Sequence, residues 1–139
     1  MPEAWQPLIG ALAVHNLRAE YVHAVTEAEE EAVDAFVERL AGRLSDPEPD
    51  PAALAGPLML ASLYRAPQGL PGAENLVGTS EGDWPRPLRR LVRLAFVEPA
   101  EEQRLAESIP VLAEIRDETS RTVRAMYEQN PYPRWERIG

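Results

Sequence analysis

Proline sets the strongest limit on how this chain can fold. Fourteen of its 139 residues are proline, and they stand between stretches of helical periodicity. The run "SDPEPDP" carries a proline at every second position, which no helix tolerates. Asp50 then stands as a helix cap with Pro51 at the first helical position, where a missing N–H costs nothing. Pro57 is expected to kink that third helix or delay its start. Pro87 and Pro99 mark the onsets of two more.

Between these breaks the apolar residues recur at helical spacing. In "PLIGALAVHNLRAEYVHAV" the stripe is Leu8, Leu12, His15, Ala19 and Val22, widened by Ile9, Val14, Leu17 and Tyr21, so a mostly buried first helix is expected. Thr26 followed by Glu29 is a capping box that opens a second helix, with Val33, Phe36, Val37, Leu40 and Leu44 facing inward. "AALAGPLMLASLYR" continues the third. "APQGLPGAENLVGTSEGD" reads as a long Gly/Pro-rich loop over residues 66–83. "WPRPLRRLVRLAF", "EPAEEQRLAESI" and "PVLAEIRDETSRTVRAMYEQ" supply the remaining helices, the last with Val111, Leu112, Ile115, Val123, Met126 and Tyr127 directed inward. No stretch alternates like a strand. The expected fold is all-α, a compact bundle of about five to six helices with an extended C-terminal tail. A helical domain over 1–129 is followed by a Pro/aromatic segment over 130–139.

Composition narrows the function classes. There is no cysteine and no lysine, which excludes disulfides, thiolate metal sites, Schiff-base chemistry and a P-loop. An all-arginine basic set, with abundant alanine and proline, fits a GC-rich bacterial source. A net charge of −9 opposes binding to nucleic acid or to an anionic membrane. No apolar run nears the roughly 20 residues of a membrane span, and no signal sequence opens the chain, so a cytoplasmic protein is expected.

Catalytic and metal-binding patterns are sparse. Glu20, His23 and Glu27 contain one E-x-x-H pair, but a di-iron bundle needs a second, and His15 has no glutamate three positions before it. No metal site is therefore assigned. No G-x-G-x-x-G, G-x-S-x-G or Ser–His–Asp pattern is present, so no catalytic residue is assigned either. Arg86, Arg89, Arg90 and Arg93 form a basic patch in an acidic chain. They either pair with acidic stretches such as Glu29–Glu31 or with a second domain, or form a secondary docking patch for RNA or a nucleotide, whose phosphates suit arginine forks.

The end of the chain is the most specific stretch. Pro131 disfavours helix at Asn130. "PYP" then extends the backbone and holds Tyr132 out, and Arg134 and Trp135 suit stacking or a carboxylate on another surface. These residues either fold back over the domain's own core or dock elsewhere.

"YEQNPYPRW" is similar to the YEENPYPRW-type motif of bacterial S-adenosylmethionine-dependent methyltransferases, often ones with tetratricopeptide repeats. "ALAVHNLRAEYVHAVTEAEE" looks like that family's ALA-x-Q-C-F-x-N-E-Y-V-F segment, with Asn16 and Ala19 in place of its cysteine and asparagine. Residues 84–135 look like its W-P-x-x-L…EP-x-E-E…IP-x-L…VR-x-x-YEENPYPRW stretch. The resemblance implies a non-catalytic helical region, between the repeats and the catalytic domain, that positions or lids that domain. The family's glycine-rich cofactor loop is not among these residues. S-adenosylmethionine is thus expected only in a full-length protein and no cofactor residue is assigned here. Tyr127, Asn130, Pro131, Tyr132, Pro133, Arg134 and Trp135 would carry the docking, to a methyltransferase domain in cis or to another protein. The competing reading is a free-standing helical interaction module that binds a separate protein or self-associates.

Overall fold

A computed structural model describes residues 1–109 and 118–129. Contacts divide the chain into two units, Met1–Ala106 and Glu107–Gly139. Every regular element among the described residues is helical, so the chain is all-α.

In the first unit, α1 (Gln6–Arg18), α2 (Glu27–Leu44) and α3 (Pro51–Ala61) follow in order. The Thr26 hydroxyl accepts the Glu29 N–H at 3.3 Å while the Thr26 N–H donates to the Glu29 carboxylate at 2.9 Å. Two of the unpaired N–H groups at the start of α2 are satisfied in this way. The Asp50 carboxylate accepts the Ala52 N–H at 2.9 Å and starts α3 as its sequence implies. α3 is apolar on nearly every side and packs against both α1 and α2, as a central helix must.

Pro57 does not delay α3; the helix starts at Pro51 and runs unbroken through it. A proline inside a helix strands the carbonyl four residues earlier, here that of Ala53. The Arg43 guanidinium, reaching over from α2, donates to that oxygen at 2.8 Å. A tertiary hydrogen bond thus stands in for the missing N–H, which nothing in the local sequence foretells.

The Gly/Pro-rich stretch is ordered as three short 3-10 turns, Pro67–Gly69, Ala73–Leu76 and Glu81–Asp83. Pro67, Leu70, Ala73 and Leu76 are buried, so this segment forms one wall of the core rather than an external loop. Gly72, at φ +84°, turns the chain toward α2, and a Cβ there would lie 2.9 Å from both the Leu44 Cβ and the Ser45 nitrogen. Asn75 Nδ2 then donates to the Leu44 carbonyl at 2.9 Å, closing the C-terminal end of α2.

A 3-10 turn at Arg86–Leu88 leads into α4 (Arg89–Val92), a π turn over Arg93–Val97 and α5 (Glu98–Ser108) without a break. The sequence predicts separate helices, the second restarting at Pro99. In a regular helix the Pro99 ring would collide with the Ala95 carbonyl, and the widened turn just before it accounts for the unbroken path. Leu88, Leu91, Val92, Ala95 and Phe96 join the same core, and the Arg86–Val92 segment packs against α1. In the second unit, α6 spans Glu118–Gln129.

Candidate functional site

α1 presents the largest departure from the sequence reading. Its buried residues are Gly10, Ala13 and Val14, with Ile9 and Leu17 packed at the edge of the core. The expected inward stripe is the outward one: Leu8, Leu12, His15, Ala19 and Val22 are all exposed. Trp5 is 56% exposed, Leu8 51% and Leu12 41%, three apolar side chains at helical spacing on one face. The reason is close approach. Gly10 lies against the Pro87 backbone so tightly that a Cβ would sit 2.3 Å from its carbonyl oxygen. Only the small-residue face of α1 allows that contact.

The arginine patch divides in two. Arg89 Nε donates to the Trp84 carbonyl at 2.9 Å. Arg93 makes a two-point pair with Glu81, Nη2 to Oε1 at 2.8 Å. That bond holds the Glu81 carboxyl below its ordinary range and raises the guanidinium. Arg89 and Arg93 therefore fasten the 81–84 segment to α4. Arg86 and Arg90 are exposed and make no ion pair among the described residues. They line an open groove of about 450 Å³ whose other walls are Pro7, Gly10, Ala11, Val14 and Pro87. An adjoining hollow of about 590 Å³ shares Pro7, Arg86 and Pro87 and is bordered by Glu3 and Gln6. Among the described residues, none of the four arginines pairs with Glu29–Glu31. Glu29 is committed to the helix cap, where the Thr26 N–H lowers its pKa. Glu30 and Asp34 pair with Arg65, the latter at 3.0 Å.

Glu20 and His23 belong to a strained connection after α1. No group of three or more His, Asp or Glu among the described residues is arranged to hold a metal ion. α1 ends with Glu20 and Tyr21 both in the left-handed region, at φ 52° and 58°, where glycine or asparagine is usual. The His23 ring packs edge-on against Tyr64, centroids 5.9 Å apart. The Tyr21 hydroxyl is buried without a partner among the described residues, and burial pushes its pKa up to about 12. An orphaned buried hydroxyl costs about 1–3 kcal/mol. Tyr21→Phe is accordingly expected to raise stability by about 1 kcal/mol, read as a higher urea midpoint at unchanged slope.

Of the docking residues, Tyr127 lies on α6 and is exposed, beside exposed Val123 and Met126. The periodicity directs these three inward. Instead they form an uncovered apolar face at spacing i, i+3, i+4. Asn130, Pro131, Tyr132, Pro133, Arg134 and Trp135 lie outside the described residues, as do Val111, Leu112 and Ile115. No described helix is long and apolar enough to cross a membrane.

Comparison with protein families, with curated proteins and with solved structures finds no match for this chain.

Proposed function

We propose that this chain is a non-catalytic helical region of an S-adenosylmethionine-dependent methyltransferase, which positions or lids the catalytic domain. The reading rests on the similarity of Tyr127–Trp135 to the YEENPYPRW-type motif. The observation that supports it is the apolar face of α6, Val123, Met126 and Tyr127, left exposed directly ahead of that motif. A helix with one apolar face gains its stability by covering that face. The same face serves the alternative reading, an interaction module that binds a separate protein, and the outward stripe of α1 favours that alternative independently.

One measurement separates these readings and a second tests the non-catalytic assignment they share. Translation of the coding sequence beyond Gly139 is expected to show a strand, a glycine-rich turn and a helix, the cofactor cradle of this enzyme class. Its absence removes the methyltransferase reading and leaves the interaction module. Calorimetric titration of S-adenosylmethionine into residues 1–139 is expected to give no binding heat. Micromolar affinity would show that these residues hold the cofactor themselves and would overturn the non-catalytic assignment.

A further inference from the structure

The outward face of α1 and the groove beside it form one continuous surface. Trp5, in the 3-10 turn that leads into α1, and Leu8 and Leu12 on α1 project into solvent. Pro7 and Ala11, on the adjacent side of the same helix, lead from that stripe into the groove. Arg86 and Arg90, four residues apart, stand on the far wall. This is an apolar strip with a cationic border on one side only.

The cations are what identify the occupant. Arg65, Arg89 and Arg93 are all engaged within the protein. Arg86 and Arg90 have no such partner among the described residues, in a chain whose net charge of −9 offers many carboxylates. Glu3 borders the adjoining hollow, yet no ion pair joins it to Arg86. A small anion would satisfy the arginines and leave Trp5, Leu8 and Leu12 wet. A nucleic-acid backbone would do the same, since its charged backbone offers nothing to cover an apolar stripe. An amphipathic helix, with an apolar stripe flanked on one side by Asp or Glu, satisfies both features at once.

We propose that the Trp5–Leu8–Leu12 face of α1, bordered by Arg86 and Arg90, is a docking surface for an acidic amphipathic helix of a partner polypeptide. It rests on different residues from the C-terminal motif and stands independently of the methyltransferase reading.

The test presents residues 1–139 to a displayed library of amphipathic helices about 20 residues long, beyond the roughly 12–15 at which isolated helices are marginal. Leucine is fixed along one stripe, and the flanking positions are randomised among Glu, Gln and Lys. Selection is expected to enrich Glu on one flank of the stripe. The enriched clone, as a fluorescent peptide, is expected to bind at least tenfold more weakly to Arg86→Glu/Arg90→Glu and to Leu8→Ser/Leu12→Ser. Both pairs are exposed, and unchanged circular dichroism will verify their fold. Binding should also weaken as salt is raised. Enrichment of Lys or Gln, no enrichment, or undiminished binding to the charge-reversed variant overturns the proposal. So does sedimentation showing a dimer that Leu8→Ser/Leu12→Ser dissociates, because a second copy would then occupy the face.

Discussion

Trp84→Ala is expected to lower stability by about 4 kcal/mol, the middle of the range for loss of a buried aromatic side chain. Trp84 is only 1% exposed and is the largest fully buried side chain among the described residues. It lies in the core with Leu76, Leu88 and Leu91, so truncation opens a void that α4 cannot close without leaving α1. Polar contacts tie the same residue into the 76–89 segment. The indole Nε1–H donates to Thr79 Oγ1 at 3.2 Å, the Thr79 hydroxyl donates to the Leu76 carbonyl at 2.8 Å, and the Trp84 carbonyl accepts from Arg89. Domains of this size carry roughly 5–15 kcal/mol in all, so the variant should lose between about a quarter and four-fifths of its stability. Urea unfolding followed by circular dichroism measures the loss. Trp84→Phe keeps most of the volume and removes the indole donor, and is expected to cost about half as much or less. Equal losses for the two would show that cavity formation is not the cause.

Gly10→Ala tests a case in which helix propensity and packing predict opposite signs. Within a helix, glycine is about 1 kcal/mol less favourable than alanine, so propensity alone predicts a gain. Against this, the new Cβ would lie 2.3 Å from the Pro87 oxygen and 3.2 Å from its carbonyl carbon. These are backbone atoms inside the Arg86–Leu88 turn, and no rotamer change relieves the collision. α1 would have to lift off the segment that carries Leu88 and Leu91, at a cost of about 2–3 kcal/mol typical of overpacking. Packing should win, leaving a net loss of about 1–2 kcal/mol. Gly42→Ala is the matched control. Gly42 is exposed on α2, and a Cβ added there would meet nothing within 4 Å. Propensity then acts alone, and stability should rise by about 0.5–1 kcal/mol. If both variants are stabilised, the close approach of α1 to Pro87 is wrong, and with it the geometry of the groove that Gly10 and Pro87 line.

The functional surfaces were only partly legible in the residues. The basic patch is visible as a sequence cluster, but its division is not. Arg93 pairs with the Glu81 carboxylate and Arg89 donates to the Trp84 carbonyl, both brought to them by the 81–84 segment, while Arg86 and Arg90 face the α1 groove. The uncovered face of α6 is likewise visible only as an apolar stripe, whose residues the periodicity assigns to an interior.

What the sequence determined by itself is what acts over a few residues. Thr26 and Glu29 fix the start of α2, Asp50 and Pro51 that of α3, and the "SDPEPDP" run separates them. These are contacts within one helical turn or limits on a single φ, so they need no knowledge of the rest of the chain. Tertiary structure alone decided which side of α1 turns inward, because apolar residues surround that helix and periodicity cannot rank its faces. A contact between residues far apart in sequence, Gly10 against Pro87, made the choice. Long-range contacts likewise carried α3 through Pro57, by way of Arg43, and turned the 66–83 stretch into core. Side-chain volume and carbonyl satisfaction are settled by neighbours in space, and the linear pattern does not name them.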